Sequence, residues 1–89
     1  MSMTMTDTAT LDAKIRSVLH DHGRLNQDAQ SITPETDLYQ AGLTSHASVN
    51  VMLALEGQFD IEFPDQMLNR SVFSSVQAIR AALQELGAA

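Results

Sequence analysis

The stretch GLTSHASV, residues 42–49, joins a loop to the most apolar helical segment of the chain. A Ser or Thr just before such a segment is a helix start signal, because its side-chain oxygen can accept hydrogen bonds from free backbone N–H groups. Either Thr44 or Ser45 can be that N-cap. The other interpretation is that Ser45 presents its hydroxyl at the mouth of the helix, as the residue on which the chemistry takes place.

An active site built from the chain's own residues is disfavoured. Ser45 and His46 are adjacent, so on a helix their side chains diverge by about 100° and cannot form a nucleophile–base pair. There is no G-x-S-x-G turn, no glycine-rich phosphate loop and no cysteine. His20 and His22 fit the last turn of a first helix, where positive charge is favoured, and no other His stands at a metal-ligand spacing. We therefore expect no catalytic residue and no metal site.

Composition limits the partners. The chain has 89 residues, enough for one small domain, and a formal net charge of −6 that argues against nucleic acid. No apolar run approaches the length of a membrane span, and the polar first residues do not resemble a signal peptide. We expect a soluble, cytoplasmic protein that is a monomer when free and has no membrane partner.

Hydrophobic periodicity predicts an all-α fold. Residues 1–8 are expected to be a flexible tail and residues 9–87 the folded domain. A first helix should be capped by Thr10 and ended by Gly23, with an apolar face formed by Leu11, Ile15, Val18 and Leu19. A long loop should follow over residues 24–43, held to the core by Leu38 and Leu43, with Gly42 supplying a positive φ or a close approach.

The second half of the chain predicts three further helical segments. The second helix should run from Ser45 to Gln58, and Pro64-Asp65 should open a short third helix or turn after an extended connector. The last helix should begin at Ser74, which forms a capping box with Gln77, and should end at Gly87. The predicted architecture is a small four-helix bundle with a long loop between helices 1 and 2.

The second helix carries two apolar stripes. At about 100° per residue, Val51, Met52, Leu55 and Phe59 share a core-facing stripe. Val49 and Leu53 fall on the Ser45 side of the helix together with Glu56. A crowded small bundle could bury both stripes, or the second stripe could be an exposed contact patch. The sequence leaves both possibilities open.

The chain resembles an acyl or peptidyl carrier protein in an ordered series of motifs. The series is Asp37-Leu38-Tyr39, Gly42-Leu43-Thr44-Ser45, Leu55-Glu56, Phe59, Ile61, Phe63-Pro64-Asp65 and Phe73-Ser74-Ser75-Val76 with Ile79. The resemblance implies a four-helix bundle of the acyl-carrier type whose loop-to-helix serine carries 4′-phosphopantetheine, attached by a phosphopantetheinyl transferase. Ser45 aligns with that serine. A phosphodiester there would sit where helix N–H groups and the dipole favour negative charge, and the prosthetic group would supply the thiol that the chain lacks.

Two residues depart from the family pattern. Thr44 stands where the family usually has Asp, and His46 where it usually has Leu. Thr-Ser-His is similar to the stand-alone carriers that receive amino acids from ligases related to shortened aminoacyl-tRNA synthetases. The implied function is a non-catalytic carrier that holds an acyl or aminoacyl group as a thioester on the Ser45-linked arm.

The resemblance also implies the partners of such a carrier. They are the phosphopantetheinyl transferase, an acyl- or amino-acid-activating ligase and a downstream acyl or aminoacyl transferase. The expected contact residues are Thr44, His46, Val49, Leu53 and Glu56. The alternative is a helical interaction module that keeps the same bundle and is never modified.

Overall fold

The computed structural model describes residues 8–87, which contain three α-helices and no strand. Helix α1 spans Thr8–Val18, α2 spans Ser45–Phe59 and α3 spans Val76–Glu85. Helix α1 continues into a π-helical turn at Leu19–Gly23, and 3₁₀ turns lie at Asp65–Met67 and Arg70–Phe73. The all-α class is confirmed. The prediction of four helices is wrong by one, because the third helix is replaced by the two 3₁₀ turns.

Helix α1 buries the predicted apolar face. Leu11, Ile15, Val18 and Leu19 all lie in the core. Thr10 does not cap the helix, since α1 already begins at Thr8. The helical segment ends at Gly23 as expected, but the residue in the left-handed conformation is Arg24, with φ of 53°. Of the predicted tail, residues 1–7 lie outside the described part of the chain.

The long loop between α1 and α2 is fixed at several points. The Arg16 guanidinium donates hydrogen bonds to the Ala29 carbonyl at 2.9 Å and the Ile32 carbonyl at 2.7 Å. Leu38 and Leu43 are buried as predicted, and the Leu43 amide donates to the Leu38 carbonyl at 2.9 Å. These bonds satisfy loop backbone groups that would otherwise be unpaired. The loop is therefore part of the folded domain.

The N-cap of α3 lies one residue later than predicted. Its N-cap is Ser75, whose Oγ accepts a hydrogen bond from the Ala78 amide at 3.0 Å. The Gln77 amide, which Ser74 would have needed for its capping box, donates to the Pro34 carbonyl at 3.0 Å instead. The tertiary contact with the loop thus decides between two adjacent serines. Gly87, with φ of 81°, follows the helix as predicted.

Two separate 3₁₀ turns lie between α2 and α3 in place of a short helix, and a side chain caps the second of them. The Asn69 Oδ1 accepts a hydrogen bond from the Val72 amide at 3.2 Å, which opens the second 3₁₀ turn. The extended connector before the turns inserts Phe63 into the core, where its ring packs edge-on against Phe73 with centroids 5.4 Å apart.

Helix α1 packs against both α2 and α3 around the aliphatic core. The Arg80 guanidinium on α3 pairs with the Asp12 carboxylate on α1 at 2.8 Å, and both side chains are largely buried. Within residues 8–87, no helix is long and apolar enough to cross a membrane.

Candidate functional site

Thr44 is the N-cap of α2, and this leaves the Ser45 hydroxyl free. Thr44 has an extended backbone, with φ of −97° and ψ of 164°, and its Oγ1 accepts a hydrogen bond from the Ala47 amide at 3.0 Å. Ser45 is the first helical residue and is exposed. Its hydroxyl has no hydrogen-bond partner in the described part of the chain. The two roles that the sequence left open therefore fall to different residues.

The loop before α2 sets the position of Ser45. Gly42 adopts a φ of +109°, a conformation that residues with a side chain rarely adopt. A Cβ at this position would also lie 3.1 Å from the Asn26 backbone nitrogen. That nitrogen donates to the Ala41 carbonyl at 2.7 Å, so the two halves of the loop are tied together where the chain turns into α2. Glycine is required here for both reasons.

The electrostatics at Ser45 favour an anion. The first turn of α2 contains no acidic residue, and the positive end of the helix dipole lies there. A phosphate ester on the Ser45 Oγ would be close to backbone N–H groups that have no acceptor within the helix. His46 is exposed and follows Ser45 directly on the helix, so it cannot serve as a base for the Ser45 hydroxyl.

The predicted second stripe of α2 is exposed. Val49 is 50% exposed and Leu53 is 54% exposed, whereas Val51 and Leu55 are fully buried. The sequence left open whether this second stripe is buried or exposed, and in the structure it is exposed. Thr44 and His46 are exposed at the start of the same helix.

Glu56 has a role within the fold. Its Oε2 accepts a hydrogen bond from the Phe63 amide at 2.9 Å, which fixes the connector after α2. The side chain is half-buried. A contact between Glu56 and a partner enzyme stays a prediction.

A groove of about 390 Å³ opens beside Ser45, between α2 and the second 3₁₀ turn. Its lining includes Ser45, Val49, Met52, Leu68 and Arg70. Sequence reasoning assigned no part to Leu68 or Arg70. The available signal was weak: Arg70 is one of five Lys and Arg residues in an acidic chain, and it lies close to the Tyr39 ring only in three dimensions. Of the predicted site residues, the groove brings together Ser45 and Val49, while Thr44, His46, Leu53 and Glu56 do not line it.

Across residues 8–87 no group of three or more His, Cys, Asp or Glu side chains could hold a metal ion. His20, placed at the end of the first helical segment as predicted, lies 3.2 Å from the adjacent Asp21 carboxylate and is exposed.

The known sequences that this chain resembles are carrier proteins. The family model described as a phosphopantetheine attachment site matches residues 13–85. The chain is 51% identical over 69 residues to the aminoacyl carrier protein of Agrobacterium fabrum, a match that covers 78% of this chain and 83% of that protein. It is 34% identical over 70 residues to aminoacyl carrier protein 1 of Bradyrhizobium diazoefficiens, which covers 76% and 78% of the two chains.

Solved structures give a consistent result. The fold matches, with a TM-score of 0.80 and 48% identity, a chain in the crystal structure of an engineered Bradyrhizobium japonicum glycine:[carrier protein] ligase complexed with a carrier protein from Agrobacterium tumefaciens and AMP. The match covers 82% of this chain and 97% of that chain. A chain from the complex of the Bradyrhizobium japonicum ligase with glycylated carrier protein matches with a TM-score of 0.69 and 30% identity, covering 81% and 96%.

Proposed function

The chain belongs to the phosphopantetheine attachment-site family of carrier proteins, and we propose that Ser45 is the residue to which the prosthetic group is attached. The proposal rests on one observation, which is that the Ser45 hydroxyl makes no hydrogen bond within residues 8–87. It is exposed at the start of α2 because the neighbouring Thr44 makes the capping hydrogen bond.

The protein holds an acyl or aminoacyl group as a thioester on 4′-phosphopantetheine, whose thiol the chain itself lacks. The residues around Ser45 fit the group. An exposed hydroxyl is accessible to a transferase, and the free N–H groups of the helix start favour the phosphodiester charge. The polypeptide would position the arm, and the bound group would supply the reactive sulfur.

The cargo in this proposal is an amino acid, delivered by an amino-acid-activating ligase. The carrier of Agrobacterium tumefaciens, similar to this chain, is found in complex with a glycine:[carrier protein] ligase. The Thr-Ser-His start of α2 differs from the usual acyl carrier pattern at both residues that flank Ser45. Glycine is therefore the first amino acid to test.

The contact face in this proposal is the exposed side of α2. Val49 and Leu53 expose apolar area next to Ser45, and isolated apolar patches of this kind mark protein contacts. Thr44 and His46 lie at the top of the same face, where a ligase or transferase that reaches the arm must approach. Glu56 would contribute its Oε1 atom, because its Oε2 atom accepts a hydrogen bond from the Phe63 amide.

The chain itself is proposed to be non-catalytic, with a phosphopantetheinyl transferase, the ligase and a downstream transferase performing the reactions. The proposed setting is the cytoplasm, because coenzyme A and ATP are available there for these enzymes. The evidence for a passive role is the geometry at Ser45, where the only adjacent histidine points elsewhere on the helix.

Intact mass spectrometry after incubation with coenzyme A and a broad phosphopantetheinyl transferase tests the attachment. The wild-type chain should gain one prosthetic group, and Ser45→Ala should gain none. Ser48→Ala is the matched control, since Ser48 borders the same groove and its Oγ donates to the Ser45 carbonyl at 2.7 Å. If the wild-type chain gained no mass, or if Ser45→Ala gained the same mass as the wild type, the proposed attachment at Ser45 would be refuted. A wild-type chain without any mass gain would favour an unmodified interaction module.

The modified protein then allows a loading assay with a glycine:[carrier protein] ligase, ATP and free amino acids. Amino acid attached through a bond that hydroxylamine cleaves is the expected result. Loading only by fatty-acid enzymes would contradict the aminoacyl assignment and leave the attachment site intact.

A further inference from the structure

Arg16 on α1 binds two carbonyl groups of the long loop through a single nitrogen atom. Its Nη1 donates to the Ala29 carbonyl at 2.9 Å and to the Ile32 carbonyl at 2.7 Å. The side chain is half-buried, and no carboxylate within residues 8–87 forms an ion pair with it. The charge is therefore directed at the loop backbone, where hydrogen bonds from an ionised donor are stronger than those between neutral groups.

The two carbonyl groups depend on Arg16 for their hydrogen bonds. Neither the Ala29 nor the Ile32 carbonyl accepts a hydrogen bond from a backbone amide in the described part of the chain. Both residues have buried side chains, which hold this segment against the core. Without the guanidinium, both carbonyls would lose their protein donor, and a shielded backbone group without a partner costs free energy. The segment would then open toward water.

The segment held by Arg16 is connected to the turn that leads into Ser45. The Asn26 amide, at the start of the loop, donates to the Ala41 carbonyl at 2.7 Å. The next residue, Gly42, lies so close that a Cβ there would be 3.1 Å from the Asn26 nitrogen. Opening of the first half of the loop therefore removes the contact that fixes the chain directly before α2.

We propose that Arg16 is a positioning residue for the modification of Ser45, because it keeps the loop closed on the turn before α2. The inference rests on the proposed attachment at Ser45 and extends it to a residue of α1. A chain with an open loop is not a competent substrate for the phosphopantetheinyl transferase. The apparent KM then rises in inverse proportion to the closed fraction, whereas kcat, which reports on the closed form, stays the same.

Amide hydrogen exchange followed by NMR tests the loop contact in the unmodified protein. Arg16→Met keeps a long apolar stem and removes every N–H donor, so exchange at the Asn26 amide should become at least about tenfold faster. Exchange at the Val51 and Leu55 amides of α2 should stay within about twofold of the wild type, because local opening leaves the core intact. Unchanged exchange at Asn26 would overturn the proposal. Equal acceleration at all three amides would also overturn it, because Arg16 would then support the whole fold.

Transferase kinetics with intact mass detection test the effect on Ser45. Arg16→Met should raise KM at least about fivefold with little change in kcat. Arg16→Lys is the rescue variant: an ammonium carries three N–H donors on one nitrogen and can bond both carbonyls, so KM should stay within about twofold of the wild type. Arg24→Met is the matched control, since it removes the same charge from an exposed residue that makes no ion pair within residues 8–87.

Three kinetic results would overturn the role of Arg16. They are a change in kcat alone, equal KM values for Arg16→Met and Arg24→Met, and a KM for Arg16→Lys as high as that for Arg16→Met. Failure of the wild-type chain to be modified would instead count against the attachment at Ser45. The exchange measurement does not depend on that attachment, so the two failures can be told apart.

Discussion

The capping role of Thr44 and the attachment role of Ser45 can be separated by two alanine substitutions. The Thr44 Oγ1 accepts from the Ala47 amide at 3.0 Å, whereas the Ser45 hydroxyl has no partner in residues 8–87. Replacing a Thr N-cap by Ala costs about 1 kcal/mol. Replacing an exposed side chain that makes no hydrogen bond changes stability by about 0.5 kcal/mol or less. We therefore expect Thr44→Ala to be less stable than Ser45→Ala.

The difference is large enough to measure. For a domain of this size, 1 kcal/mol corresponds to a shift in melting temperature of about 4–8 °C. Thermal and urea unfolding followed by circular dichroism should show the loss in Thr44→Ala and almost none in Ser45→Ala. Modification should show the reverse, because Thr44→Ala retains the attachment hydroxyl. If Ser45→Ala were the less stable variant, Ser45 would be the cap and the argument for its free hydroxyl would fail.

Three further predictions concern the surroundings of the site. Leu53→Glu should leave the free energy of unfolding within about 0.5 kcal/mol of wild type, since the side chain is 54% exposed, and should slow loading by the ligase; global unfolding would place Leu53 in the core. Glu56→Ala should cost about 1–3 kcal/mol in urea unfolding, because it removes a charged acceptor from the connector amide; an unchanged midpoint would contradict that bond. Gly42→Ala should destabilise by about 1–3 kcal/mol through its positive φ and the nearby Asn26 nitrogen. Its control, Gly57→Ala, should stabilise by about 0.5–1 kcal/mol, because α2 has open space there, and a loss of stability in both variants would refute the distinction.

The periodic parts of the fold were predictable because burial repeats along each helix. The face from Leu11 to Leu19 follows directly from the spacing of apolar residues, and α2 ends at Phe59, one residue beyond the predicted Gln58. The buried Leu38 and Leu43 were predictable as the only large aliphatic side chains flanking Gly42. These features depend on local sequence and on the requirement for a single core.

The prediction of Ser74 as the N-cap of the last helix was wrong because of contacts between distant segments. Ser74 matches the capping-box pattern through Gln77 and Ser75 does not, but the Ser74 carbonyl accepts from the Leu38 amide at 2.7 Å and the Gln77 amide donates to the Pro34 carbonyl. No local rule contains those loop contacts. The third helix was lost for a local reason, since Asn69 caps a new turn, three residues before Val72, where a continuous helix was expected.

The site was only partly predictable from its own stretch of sequence. Thr44 and Ser45 are both permitted caps, and only the backbone geometry assigns the role to Thr44. The exposure of Val49 and Leu53 depends on how much of α2 the turns of residues 64–75 cover. The groove requires Arg70 and Tyr39 to meet across the fold, which no spacing in the sequence encodes.

Fragmentation mass spectrometry of the modified wild-type chain tests the central claim most directly. Three hydroxyl side chains lie within five residues at the start of α2: Thr44, Ser45 and Ser48. The free hydroxyl on the first helical residue predicts that the phosphopantetheine mass is found on Ser45 alone. Its presence on Thr44 or Ser48, or its absence from all three, would contradict the claim.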